Sequence, residues 1–415
     1  MANASESVAQ LPALVAEVLP RVAEVRHRLH QTPELALQET QTAAFIHETL
    51  VALGLQPREP LLGTDVIALL EGPGPGPNVT LRADIDALPL QEKTGVPYQS
   101  THSGCMHACG HDGHTAMLLG AAMVLCRLRE HLPGSVRFVF QPGEEVVAAG
   151  RHLVAKGALR DPEPAAVFAL HAWPGYPLGA VCSRPGPMMA AAEFFRIVIR
   201  GKGAHGSRPE ASVDPILTAA RVVEALQSVV SRQISPLESA VVSICRIAAG
   251  SNGNIIPDSA ELEGTTRSLK AEVGQQLPAL MERTIKGVCD STGASYEFHY
   301  SDSYIPTVNH AGMVALGQRV ATRWLGPESW VDLPQPCMGG EDFAYYLRDH
   351  PGAMFFLGMG ETCPSLHSAQ FDFCDEALRN GITFLVGAAL EALATAGVCA
   401  GGAGRGALPR TPPGT

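Results

Sequence analysis

Cys109, His111, Asp112 and His114 fall within six residues, and Gly110 and Gly113 between them let the backbone bend. Groups of the same chemical kind recur downstream. The pair Glu144-Glu145 follows Gln141-Pro142-Gly143, His171 stands in Leu170-His171-Ala172, and His367 in Leu366-His367-Ser368. Thiolate, imidazole and carboxylate together suit zinc, manganese, cobalt or nickel better than calcium or magnesium. Cys109, His111, Glu145, His171 and His367 are more ligands than one structural zinc needs. A carboxylate left over beside them, Glu144, points to a two-metal hydrolase with its own base.

Each group also has a plainer reading. Cys109 precedes a predicted helix whose N-terminus would lower the thiol pKa and favour thiolate, yet Cys109 and His111 alone could be a buried cysteine and a capping histidine. Glu144-Glu145 could be an exposed acidic pair, although it directly follows an apolar run and a Pro-Gly turn. Asp84 and Asp86 could each form a turn, or stand behind a ligating imidazole and raise its basicity. His107 and His114 read as residues that shape the loop.

These residues need elements to position them. Short apolar runs end at each candidate: Val79–Arg82 before Asp84 and Asp86, Val136–Phe140 before the glutamates, Ala166–Leu170 before His171, and Ala353–Leu357 before the loop to His367. Residues 21–53 read as helical with a break at Thr32-Pro33, and 112–130 have helical spacing. Strands alternating with helices imply an α/β fold with a mostly parallel sheet, in which ligands gather at strand C-termini. Residues 187–302 break that rhythm. Phe194–Arg200, Ala240–Ala248, Ala260–Arg267 and Ser295–Tyr300 read as strands, and Asp214–Ser231 and Ala271–Asp290 as helices. That β-α-β-β-α-β order is ferredoxin-like. The expected organisation is a discontinuous metal-binding catalytic domain, 1–186 and 303–396, an inserted dimerisation or lid domain, 187–302, and a disordered tail, 397–415.

With 415 residues, 46% hydrophobic and 17% charged, the chain can bury a large core. Its net charge of −11 argues against nucleic acid, whose phosphates need a basic stripe. There is no run of about 20 apolar residues to span a membrane, and Glu6 and Glu17 interrupt any secretion signal. Ten cysteines without a CxxC fit a reduced, cytoplasmic setting.

Further motifs complete the pattern: Leu29-His30-Gln31-Thr32-Pro33-Glu34, Arg82-Ala83-Asp84-Ile85-Asp86-Ala87-Leu88-Pro89, Gly201-Lys202-Gly203-Ala204-His205-Gly206, Asn254-Ile255-Ile256-Pro257 and Met338-Gly339-Gly340-Glu341-Asp342-Phe343. With Cys109–His114 and Glu144-Glu145, over residues 20–395, the chain resembles the M20 metallopeptidase family. Within it, the resemblance is to the amidohydrolase branch of hippurate, N-acyl-amino-acid and auxin-conjugate hydrolases. The resemblance implies two divalent metal ions, zinc or manganese first and cobalt or nickel next, held by Cys109, His111, Glu145, His171 and His367. It implies Glu144 as base, Asp86 behind the site, and His205 reaching the partner's site in a homodimer to stabilise the oxyanion. Asn254, Arg267 and the backbone at Gly339 are candidates to hold the substrate carboxylate, although Arg267 also reads as a surface strand arginine. The expected reaction cleaves an N-acyl amino acid to a carboxylic acid and a free amino acid. The rivals are a metallo-dipeptidase or carboxypeptidase on the same site, and a non-catalytic binding protein on the same fold. Asp84 departs from the family pattern, standing where many members carry a histidine ligand. Glu210, Ala369 and Cys374 also replace more familiar residues, so the acyl preference is expected to be unusual.

Overall fold

The computed structural model describes residues 10–301 and 304–402, with side chains described to residue 396. Of the expected disordered tail, 397–415, residues 397–402 instead continue the last helix, and the rest lies outside the described residues. The chain divides into two compact units. The first takes residues up to 183, 312–331 and 350 onward; the second takes 184–311 and 332–349. The second unit is thus wider than the 187–302 segment read from sequence, and it recruits the stretch around Gly339-Gly340.

The first unit is built on a seven-stranded sheet. Its strands are Val66–Glu71 (β1), Asn78–Asp84 (β2), Ser135–Gln141 (β3), Pro164–Trp173 (β4), Val181–Ser183 (β5), Trp330–Asp332 (β6) and Gly352–Gly358 (β7), in the spatial order β1-β3-β2-β4-β7-β5-β6. The four central strands, β3, β2, β4 and β7, run parallel. β1 and β5 join them antiparallel. Every residue of β2, β3 and β7 is buried, as expected where a parallel sheet is covered on both faces. Because the four strands point the same way, the segments that leave their C-terminal ends share one edge. Those segments carry Asp86, Glu144-Glu145 and His367, and the end of β4 carries His171.

Three long helices pack on one another, Leu11–Gln31 (α1), His111–Arg127 (α2) and Glu376–Gly402 (α3), and α2 and α3 also pack on the sheet. α1 begins ten residues before the expected start. Pro12 falls in its first turn, where a missing N–H is harmless, and Leu11, Val15, Val18, Val22, Val25 and Leu29 give it a continuous buried stripe. Part of α3, Glu376–Ala396, is long and apolar enough to cross a membrane, but 72% of its apolar window is buried inside the protein. Its apolar surface serves the core.

The second unit has a four-stranded antiparallel sheet in the order Ser295–Tyr300, Ala191–Arg200, Ser259–Ser268, Ala240–Ala249. Helices Pro215–Ser228 and Ala271–Thr292 pack on it around a separate core that includes Phe195, Ile197, Leu226, Leu262 and Met281. The first helix is capped by Asp214, whose carboxylate accepts the N–H groups of Ile216 and Leu217.

Candidate metal centre

Local backbone geometry sets up each candidate ligand. Gly110 precedes α2 in the left-handed region, φ +84°, and a Cβ there would lie 3.1 Å from the Ala172 Cβ. Glycine is therefore needed both for the turn and for the approach to β4, and it places Cys109 and His111 on either side of the helix start. Gly143, φ +61°, and Ala148, φ +48°, bracket the one-turn helix Glu144–Val147. His367 has a left-handed φ of +61°, a conformation uncommon outside glycine, and its N–H is tied to the Ala108 carbonyl at 2.8 Å.

All five residues read as ligands meet. Ligand atoms of Cys109, His111 and Glu145 lie within 4.8 Å of one another. His171 Nε2 is 3.5 Å from Cys109 Sγ, and His367 Nε2 is 3.1 Å from Glu145 Oε1. The imidazoles are oriented for coordination through Nε2. His111 donates its Nδ1–H to the Asp86 carbonyl at 2.8 Å, and His171 donates to the Ala172 carbonyl at 2.7 Å. In each ring that leaves the lone pair on Nε2. His111 Nε2 is buried with no hydrogen-bond partner, a state that natural cores avoid unless an ion or water completes it. This orphaned nitrogen, beside a thiol and a carboxylate, fits a bound divalent cation.

Electrostatics at the site differ from the sequence expectation at Cys109. Burial and the carboxylates of Glu145, Glu144 and Asp84 push its thiol pKa well up. These groups oppose thiolate formation, which a bound cation would favour. Burial opposes protonation of His111, but Asp84, Asp86 and Glu145 outweigh it and hold its pKa up at about 10, so a cation coordinating Nε2 would displace a proton and thereby free the lone pair. Burial keeps His171 well below the ordinary value, hence neutral. Glu145 is held low despite burial by His367 and His111. Asp86 links the two ligand-bearing loops: its Oδ2 accepts the Glu145 N–H at 3.0 Å and its Oδ1 lies 3.3 Å from His111 Nδ1. Glu144 is buried at the start of its short helix.

The remaining candidates lie in the second unit, in two groups. His205 and Asn254 come together because strand Ala204–His205 pairs with Ile255–Ile256, and the Gly206 N–H donates to the Asn254 carbonyl at 2.7 Å. His205 is exposed, and its Nδ1 accepts the Ser207 N–H at 3.1 Å, which leaves the neutral ring's proton on Nε2. Arg267 and Gly339 form the other group. Arg267 Nε donates to the Met338 carbonyl at 3.1 Å, and the Gly339 carbonyl accepts from the Ala190 N–H at 3.0 Å. Arg267 is half-buried, not a free surface arginine.

Two supporting networks escaped sequence reasoning. Glu39 is buried and accepts the Gly143 N–H at 3.0 Å and the Thr64 hydroxyl at 2.9 Å; burial pushes its pKa up to about 7. Asp112, next to His111, is gripped by His30 Nδ1 at 2.8 Å and Arg26 at 3.3 Å, and Arg26 also holds Asp372. The motif Leu29–Glu34 flagged His30, but nothing in its spacing says that it meets Asp112.

Residues 80–391 match peptidase family M20/M25/M40. The chain belongs to that family. N-acetylcysteine deacetylase of Bacillus subtilis is 42% identical over 359 residues, which cover 86% of this chain and 93% of the relative. N-acyl-L-amino acid amidohydrolase of Geobacillus stearothermophilus is 41% identical over 301 residues, 72% of this chain and 81% of the relative. Among solved structures, a dinuclear metal binding peptidase of the M20 family from Bacillus subtilis is similar with a TM-score of 0.80 and 36% identity, covering 92% of this chain and 99% of that one. This M20 member is a metal-dependent hydrolase that acts on amides.

Proposed function

We propose that the protein removes the acyl group from N-acyl amino acids, using two divalent cations held by Cys109, His111, Glu145, His171 and His367. The convergence of these five ligand groups around the unpartnered His111 Nε2 carries the reading, and the named relatives supply the substrate class. When bound, such ions polarise an acyl carbonyl and lower the pKa of an attacking water. The chain's own residues do the rest. Glu144 accepts the water proton and returns it to the leaving amine. Asp86 keeps the His111 and Glu145 loops in register. His205 of the partner subunit in a homodimer offers its Nε2–H to the developing oxyanion. Arg267, Asn254 and the Gly339 backbone hold the substrate carboxylate, for which a planar guanidinium is well shaped. The metal is zinc or manganese, with cobalt and nickel as the further candidates. The nine described cysteines are all unpaired, which supports a cytoplasmic setting.

The test is a hydrolysis screen of acetyl-, benzoyl- and longer acyl-amino acids against unblocked dipeptides, with each metal added separately. Metal-dependent turnover of blocked amino acids is expected. Faster turnover of free dipeptides would make it a peptidase, and binding without turnover a non-catalytic relative.

A further inference from the structure

Asp84 and His114 sit against the ligand group without belonging to it. With His111 and His171 they bring ligand-type atoms within 4.8 Å of one another, a spacing that would by itself suit an ion. Their hydrogen bonds decide against that use. The Ala172 N–H donates to His114 Nε2 at 2.7 Å. A backbone amide can only donate, so Nε2 carries the lone pair and the proton is on Nδ1. That proton goes to Asp84 Oδ1 at 2.5 Å. The other oxygen, Oδ2, accepts from Arg82 at 2.7 Å, and Arg82 Nε donates to Gln141 Oε1 at 3.1 Å. Both nitrogens of His114 are committed, each oxygen of Asp84 already holds a donor, and Arg82, Asp84 and His114 are all buried.

The chain of bonds ends on a candidate ligand. Ala172, fixed through its N–H by His114, uses its carbonyl to take the Nδ1–H of His171 at 2.7 Å. We propose that Arg82, Asp84 and His114 form a positioning relay that fixes Ala172, and through it the ring angle and tautomer of His171. The permanent charge of Arg82 keeps Asp84 an acceptor, Asp84 keeps the His114 proton on Nδ1, and His114 therefore presents a lone pair to Ala172. The carboxylate at position 84 serves an imidazole, not an ion. The inference rests on reading the five-residue group as a metal centre.

Two substitutions separate the two ends of His114. In His114→Gln the side-chain oxygen reaches the place of Nε2 and can still accept the Ala172 N–H. In His114→Asn the amide nitrogen reaches only the place of Nδ1, which keeps the bond to Asp84 and leaves Ala172 without an acceptor. His114→Leu removes both. Each protein is dialysed against graded zinc, its bound metal counted by elemental analysis, and the rate of zinc loss to a chelator followed. Cobalt-loaded samples without substrate give an absorption spectrum that reports imidazole ligation. Wild type and His114→Gln should hold two ions with closely similar loss rates and spectra. His114→Asn should release one ion about 10–100-fold faster, the scale expected when an outer partner of a ligand is lost, with an altered cobalt spectrum. If His114→Leu does not fold, the Gln and Asn pair still decides, because both are polar and small enough for the site. Wild type with two ions and His114→Asn holding them equally tightly would overturn the relay alone. Wild type that takes up no ion would overturn the metal centre and the relay together.

Discussion

Glu145 directs its carboxylate to His111 and His367, at 3.9 and 3.1 Å, and its neighbour Glu144 is the proposed base. Glu144→Gln should retain both ions and lose about 10²–10⁴-fold in kcat, the usual scale for a general base. Metal content and single-turnover rates measured on one preparation check this, and wild-type kcat at full occupancy would reassign the base. Cys109→Ser replaces a soft anionic donor with a poor one. The variant should hold at least one ion so weakly that activity requires added metal, whereas two tightly held ions would remove Cys109 from the set. The ligand types and the doubled glutamate were legible in the sequence because coordination chemistry depends on residue identity. The protonation of the thiol was not, because it depends on which carboxylates the fold places around it, and Glu144, Glu145 and Asp84 come from two different loops.

At the level of elements, the strands that end at the site were readable because each is a short apolar run closed by polar chemistry. The supports were not, because they join segments far apart in sequence. Glu39, at the start of helix Thr40–Ala52, reaches across about a hundred residues to hold the Gly143 turn. Glu39→Ala should leave a buried N–H unpaired and lower stability by about 1–3 kcal/mol, read as a shift in the denaturant midpoint; an unchanged midpoint would mean that the turn holds itself. His30 ties α1 to the first turn of α2. Burial opposes its protonation, but Asp112 and Glu92 outweigh burial and raise its pKa from 6.5 to about 9. A raised folded-state pKa gives stability that is complete below the unfolded value and vanishes as pH rises through the folded one. His30→Gln should therefore melt well below wild type at pH 6, and the gap should narrow between pH 7 and 10. A gap independent of pH would show that His30 contributes only by packing.

At the scale of the whole molecule, every candidate ligand lies in the first unit, and His205, Asn254, Arg267 and Gly339 lie in the second. If each active site draws Glu144 from one chain and His205 from the other, a heterodimer of Glu144→Gln and His205→Ala has one site with both defects and one intact. Subunit exchange between the two inactive proteins should then restore activity, up to about half per heterodimer by counting sites. Verified heterodimers that stay inactive while wild-type exchange controls are active would remove His205 from the partner's site. The division of the chain also has a consequence for biogenesis. β7, whose following loop carries His367, enters the sheet beside β4 only after the whole second unit has been synthesised. His171 and His367 are roughly 200 residues apart, which a ribosome covers in about 10–40 s. During that interval the nascent chain would expose an unpaired edge of β4 and four of the five candidate ligands, and would be most open to mismetallation and aggregation. Ribosome-stalled chains ending before β7 should bind zinc weakly and one ion at most, and chains released with β7 and His367 in place should take up two. Metal loading would then be the last step of this protein's maturation, timed by the order of its strands.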